Sequence, residues 1–324
     1  MNFQDLKTVE SAEFYLDVAF RKASKRISEI NSTIKGKDGL SRAKNKEVMR
    51  IDIIRAHLTE TLTKILISFP DIDSLDMFYQ ELIKLTLDYK SLKKSLGALN
   101  WAIKKVGQFF KLYSRKMKFS NDYDSIIKAK KEFFGRISSI MKQVNPNLAY
   151  LEESRKTMKS YPAIKTSIFT VCIFGYPNVG KSTLLSKMTT AKPEINEYPF
   201  TTKRLNLGYI KEPLSNIQII DTPGTLDRLE KMNKIELQAY LAVRHLANLL
   251  VYVFDPTFEY SMENQEKLLE NVKKFDKPLI LYLSKTDMCD KSVIDGFRKQ
   301  YPDIITNIDE LKSLMMEKAR KQKF

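Results

Sequence analysis

The chain has 324 residues and two domains are expected from that length; 43% of them are hydrophobic, enough for a packed core. The net charge of +16 asks for a polyanionic partner, either nucleic acid or an acidic membrane surface. No apolar run approaches the roughly 18 residues of a membrane span. The acid-containing start, Met1 to Phe14, does not read as a signal peptide, and Cys172 and Cys289 lack metal-ligand spacing, as expected of reduced thiols in a cytoplasmic protein.

Up to about residue 161 the apolar period is helical. Phe14, Tyr15, Val18, Ala19 and Ala23 recur at spacings of three and four. The run Lys35 to Gly39 breaks that helix. A second is expected over about 41–69, with Val48, Ile51, Ile54, Leu58, Leu62 and Ile65 on one face and Pro70 at its end. Asp73 or Ser74 can cap a third, carrying Leu75, Phe78, Leu82 and Leu85. A fourth spans about 91–117 and a fifth about 123–144, with Pro146 opening a short sixth and Pro162 closing the region. Long amphipathic helices with short breaks predict an all-α antiparallel bundle over 1–161.

Beyond Pro162 short β-branched runs take over: Ile168–Phe174, Ile217–Ile220, Leu249–Phe254 and Leu279–Leu283, with helical stretches between them. Strands this apolar are buried on both faces, so residues 162–324 predict an α/β domain with a mostly parallel, Ras-like sheet.

That domain carries the chemistry. Gly175-Tyr176-Pro177-Asn178-Val179-Gly180-Lys181-Ser182, followed by Thr183, matches G-x(4)-G-K-[ST] between a strand and a helix. Loop amides and the helix dipole would bind phosphate, Lys181 would neutralise the β- and γ-phosphates, and Ser182 would ligate magnesium. Asp221 ends a hydrophobic strand in Asp221-Thr-Pro-Gly224, where it can hold magnesium through water, and the Gly224 amide can meet a γ-phosphate. Between these motifs either Thr201 or Thr202 can close over the metal, with Thr202 favoured. Ser284-Lys285-Thr286-Asp287 stands where the guanine-reading N-K-x-D belongs. Asp287 can accept the guanine N1 and N2 hydrogens and Lys285 can lie along the base, while Ser284 lacks the amide that usually bonds the base and braces the phosphate loop. Thr306 is a weak candidate for the last base-binding loop. Thr225 follows Gly224 where many GTPases carry a water-orienting glutamine, so slow hydrolysis is expected. Asn178 is a candidate for holding a potassium ion beside the phosphates.

These motifs, with the helix from Asn233, resemble the nucleolar GTP-binding (Nog) family of Obg-like GTPases. In the front half Phe78-Tyr-Gln-Glu-Leu, Lys93-Lys-Ser-Leu-Gly-Ala-Leu-Asn, Gly135-Arg-Ile-Ser-Ser-Ile-Met-Lys and Leu148-Ala-Tyr-Leu-Glu-Glu-Ser-Arg are similar to that family's helical domain. The resemblance covers about residues 10–290 and implies GTP and GDP as ligands with magnesium, and action on precursor rRNA during large ribosomal subunit assembly. It supports Asn178, Gly180, Lys181, Ser182, Thr201, Thr202, Asp221, Gly224, Lys285 and Asp287. Ser284 departs from the family's asparagine, and the end soon after the GTPase motifs resembles the short archaeal form.

Residues 1–165 hold 32 Lys and Arg against 19 Asp and Glu, or +13 of the +16. The densest stretch, 91–142, has 13 bases and three acids. Lys93, Lys94, Lys104, Lys105, Lys111, Arg115, Lys116 and Lys118 lie on the fourth helix, and Lys128 and Lys131 on the fifth, as candidates for RNA phosphate contact. Phe109, Phe110, Phe133, Phe134 and Trp101 are expected in the core. A monomer without stable membrane association is expected. The rival readings are a placeholder on pre-ribosomes that binds nucleotide but barely hydrolyses it, and a membrane-surface GTPase using the basic bundle.

Overall fold

The structure is a computed structural model describing residues 3–161, 164–189, 194–197, 204–212, 215–222, 234–257 and 259–321. It resolves into two compact units: residues 3–72 with 86–159, and residues 73–85 with the described residues from 160 onward. Helical periodicity runs unbroken in kind to residue 161, yet by compactness residues 73–85 group with the second unit.

The first unit is a bundle of α1 (Ala12–Glu29), α2 (Gly39–Ser68), α4 (Tyr89–Lys118) and α5 (Tyr123–Lys159); α3 (Met77–Thr86) lies between α2 and α4 in sequence. Each bundle helix contributes a stripe at spacings of three, four or seven. Ile51, Ile54, Leu58 and Leu62 of α2, Leu92, Leu99 and Val106 of α4, and Phe133, Ile137, Met141, Leu148 and Leu151 of α5 are all fully buried. The starts are capped by local side chains, Asp38 accepting from the Ser41 amide at 2.7 Å and Asp122 from that of Ser125 at 2.7 Å. A break is expected at Pro146, but α5 runs through it. Lys142, Gln143, Asn145 and Pro146 are all exposed, so the carbonyl that loses its donor faces water, which satisfies it. Phe133 is buried, whereas Trp101, Phe109, Phe110 and Phe134 are half-buried.

The second unit is built on a sheet whose order, among the described residues, is β2-β3-β4-β1-β5-β6. The strands are β1 (Phe169–Phe174), β2 (Glu194–Glu197), β3 (Arg204–Glu212), β4 (Ser215–Asp221), β5 (Ala247–Phe254) and β6 (Leu279–Leu283). The four apolar runs read from sequence become the parallel core, β4-β1-β5-β6; β2 and β3 are an antiparallel addition at one edge. Ile305 extends the other edge by a parallel bridge to Tyr282. Helices α6 (Lys181–Met188), α7 (Lys234–Leu246), α8 (Met262–Lys273), α9 (Lys291–Gln300) and α10 (Ile308–Lys321) complete the unit.

Three polar contacts explain why α3 groups here. The buried Tyr79 phenol donates to the Ile164 carbonyl at 3.0 Å and accepts from its amide at 3.1 Å, satisfying both groups of one buried residue. Thr166 donates to Asp76 at 2.6 Å, and His245 lies 2.9 Å from Glu81. No helix among the described residues is long and apolar enough to cross a membrane.

Candidate functional site

The parallel strands end together, and the described segments that follow β1, β5 and β6 converge on one site with the end of β4, as the geometry of such sheets dictates. β1 runs directly into Gly175, whose φ of 145° and whose α-carbon position suit glycine alone: a Cβ there would lie 2.7 Å from the Val253 carbonyl. Val179 is fully buried in the sheet core and anchors the loop, while Pro177 and Asn178 are exposed at its tip. Gly180 turns through φ 94° into α6, whose first-turn amides have no intrahelical acceptor and are free to bind an anion.

Lys181 is buried, and its ammonium donates to the carbonyls of Gly175 at 2.9 Å and Tyr176 at 2.6 Å. Burial holds its pKa below the ordinary lysine range, with Asp221 pulling in the opposite direction. A cation kept in so dry a place is poised to exchange weak carbonyl partners for phosphate oxygens.

Ser182 is exposed at the loop side of α6, and its hydroxyl donates to Asp221 Oδ2 at 2.6 Å. Asn206 donates to the same oxygen at 3.1 Å. The other oxygen, Oδ1, is buried and has no hydrogen-bond partner among the described residues. An orphaned carboxylate oxygen beside a serine hydroxyl, at the mouth of a phosphate loop, fits a hard divalent cation that takes its remaining ligands from phosphate and water. Thr183, one residue on, is exposed on α6. Thr201, Thr202, Gly224 and Thr225 lie outside the described residues.

At the far side of the site, the base-reading segment follows β6. Ser284 turns both its amide, at 3.0 Å, and its hydroxyl, at 2.8 Å, to the carbonyl of Phe254. Lys285 adopts φ 48° and donates to Asp255 at 2.7 Å. Burial alone would raise the Asp255 pKa, but hydrogen bonds from Lys285 and Thr257 hold it below the ordinary carboxylate value. Asp287 sits in a 3-10 turn with its carboxylate exposed, open to accept from a base edge. Thr306 follows the Ile305 bridge, so it reaches the same end of β6; its hydroxyl accepts from Arg298 at 3.4 Å. Asn307 instead caps α10, accepting from the Asp309 amide at 2.7 Å.

The site thus brings together Gly175, Lys181, Ser182 and Asp221 on one side and Ser284, Lys285 and Asp287 on the other. It also contains residues no motif announced. Asn206 reaches Asp221 because β3 pairs with β4 in a register that sets the two opposite. Asp255, fully buried at the end of β5, and Glu259 beyond it contact Lys285 and Asn178. An acid directly after a buried parallel strand is the one signal that points to Asp255.

In the bundle, Lys93, Lys94, Lys104, Lys111, Arg115, Lys116, Lys118, Lys128 and Lys131 are exposed and Lys105 is half-buried. They are not equivalent. Lys116 bonds Glu132 at 3.0 Å and lies over the Tyr113 ring, and Lys93 lies over the Tyr89 ring. Lys104, Lys111 and Lys118 make no ion pair among the described residues.

Residues 3–165 match the family model described as the NOG1 N-terminal helical domain, and residues 170–285 match that of the 50S ribosome-binding GTPase. The chain is 38% identical over 293 residues to an uncharacterized protein of Methanocaldococcus jannaschii, covering 89% of this chain and 82% of that one. It is 33% identical to nucleolar GTP-binding protein 1 of Drosophila melanogaster, covering 97% of this chain and 48% of the relative. Against the Saccharomyces cerevisiae protein of that name the values are 29%, 95% and 48%. The chain therefore spans about half the length of these eukaryotic relatives.

Proposed function

This chain belongs to the nucleolar GTP-binding protein 1 family of GTPases, and from that premise we propose that it is a GTP-hydrolysing switch of large ribosomal subunit assembly, docked on precursor rRNA through its basic bundle. The observation that supports the switch most directly is the Ser182–Asp221 couple beside the phosphate loop, whose second carboxylate oxygen is buried and unpartnered among the described residues.

With nucleotide in place, the amides of 178–182 would cradle the phosphates and Lys181 would turn from the Gly175 and Tyr176 carbonyls to the β- and γ-oxygens. Ser182 and Asp221 would hold magnesium, the aspartate through water. Magnesium, when bound, supplies charge neutralisation at the phosphate oxygens. Thr201 or Thr202, with the Gly224 amide, would meet the γ-phosphate and so sense its loss. Asp287 would select guanine, since adenine would leave a carboxylate without its donors. Asn178 would place its side-chain oxygen toward a potassium ion. The added positive charge would act where an arginine finger otherwise supplies it.

The test is GTP turnover by the purified chain in potassium and in sodium, with and without large-subunit rRNA particles. Stimulation by potassium and particles together is expected. Binding of GTP with turnover at background in every condition would overturn the switch. It would establish a second reading, a nucleotide-binding placeholder, which the turning of the Ser284 hydroxyl to Phe254 rather than toward a base favours.

A further inference from the structure

We infer that Glu259 is a positioning residue for guanine-nucleotide binding, a single carboxylate that ties the phosphate loop to the base-reading loop where residue 284 is too short to do so. This rests on the guanine-nucleotide reading above.

The two loops must hold a fixed spacing, because one ligand spans both. They approach each other closely at Gly180 and Ser284: a Cβ on Gly180 would sit 3.7 Å from the Ser284 Cβ and 4.0 Å from its hydroxyl. A side chain longer by one amide would reach across that gap. The serine does not, and its hydroxyl is spent on the Phe254 carbonyl.

Glu259 makes the connection elsewhere. Its Oε1 accepts from the Asn178 amide at 3.2 Å, and its Oε2 lies 3.8 Å from the Lys285 ammonium. Lys285 is tied in turn to Asp255 at 2.7 Å. Asp255 is itself buried and fully bonded. Its carboxylate accepts from the Thr257 amide and hydroxyl, and its backbone exchanges two hydrogen bonds with the Gln265 side chain. The chain of contacts Asn178–Glu259–Lys285–Asp255 therefore ends in a buried anchor.

Backbone conformation points to the same pair. Among the described residues three non-glycine residues have positive φ: Asn178 at 62°, Asp276 at 52° and Lys285 at 48°. Such conformations persist where the surroundings over-determine them. Two of the three are the residues Glu259 touches. The carboxylate holds each loop in its unusual turn and fixes the distance between them.

The bridge is half exposed to water, so its ionic arm is screened by salt while its hydrogen bond to Asn178 is not. Release of a fluorescent GDP (mant-GDP) from the full chain is the readout, with nucleotide-free melting measured alongside. E259A is expected to speed release by about tenfold, with melting unchanged, the loss of one charge-assisted link. E259Q is expected to fall between wild type and E259A and to lose salt dependence. Adding S284N to E259A is expected to restore slow release, because the longer amide re-joins the loops at Gly180; a merely structural role for Glu259 would show no such coupling. Release from E259A and E259Q within twofold of wild type would overturn the bridge. So would an E259A effect undiminished in the S284N background. Failure of the wild-type chain to bind mant-GDP would overturn the guanine-nucleotide reading and the bridge with it, and is read separately from either.

Discussion

Asp221 carries a cost in the free protein. Its carboxylate is buried, one oxygen accepts from Ser182 and Asn206, and the other has no partner among the described residues. Replacing it by asparagine removes a buried charge, so D221N is expected to raise nucleotide-free stability by about 1 kcal/mol. The same change is expected to abolish the magnesium-dependent part of GDP stabilisation and to lower turnover by about 100-fold. Thermal unfolding with and without Mg-GDP, beside a turnover assay, checks both signs. Lys181 gives a second, pH-dependent signature. Its pKa is depressed by burial, so the unfolded chain binds that proton more tightly than the fold does. Nucleotide-free stability should therefore rise as pH climbs from the depressed value toward the ordinary 10.5, and K181M should flatten that rise in a denaturant series. Residues 175–182 were legible in sequence because their chemistry is set by spacing within one loop. Asn206 and Glu259 were not. Asn206 acts only through the antiparallel register that sets it opposite Asp221, and Glu259 acts only where the ends of β5 and β6 converge.

At the scale of elements, apolar period identified each long helix and each parallel strand, because those elements bury a stripe or both faces. It failed where a local rule was outvoted. Proline predicts a helix end, yet α5 continues for thirteen residues beyond Pro146. Val144, Leu148 and Leu151 bury on one side of the proline's turn while its own face is wet, so packing outweighs the missing hydrogen bond. P146A is then expected to stabilise the bundle by about 1–3 kcal/mol, the propensity gain less the entropy returned to the unfolded chain. Trp101, the single tryptophan, lies on α4 and reports that unfolding by fluorescence in denaturant. An unchanged midpoint would mean that α5 is already broken in solution. The antiparallel β2 and β3 were invisible for a different reason. Arg204–Glu212 mixes charged, polar and apolar residues on an edge, without the continuous apolar run of the central strands. The attachment of α3 to the second unit was equally hidden, since Tyr79 and Ile164 are 85 residues apart and their pairing has no local signature.

For the whole molecule the governing quantity is where the charge lies. Residues 1–165 carry +13 of the net +16, while the unit that bears the nucleotide motifs is close to neutral. On the proposed reading this separation has a use: the bundle would supply affinity for RNA phosphate and the nucleotide site would supply the signal to leave. On α4, Lys104, Lys111 and Lys118 recur every seven residues, share one exposed stripe and lack ion pairs among the described residues. Lys116 is different, being already bonded to Glu132 at 3.0 Å, so it has less charge to offer a phosphate. The structure therefore ranks the lysines in a way composition cannot. Binding of large-subunit rRNA fragments should weaken linearly in log affinity against log salt, by counterion release. The triple change K104Q/K111Q/K118Q should lessen that slope by about 2 to 3, at roughly 0.7 to 0.9 for each phosphate no longer neutralised, and K116Q should lessen it by much less. Nucleotide binding by the triple variant should match wild type. A slope unmoved by the triple change would take the RNA face off this stripe of α4. A decrease equal for K116Q and for each of the three would mean that the Glu132 pair does not hold in solution.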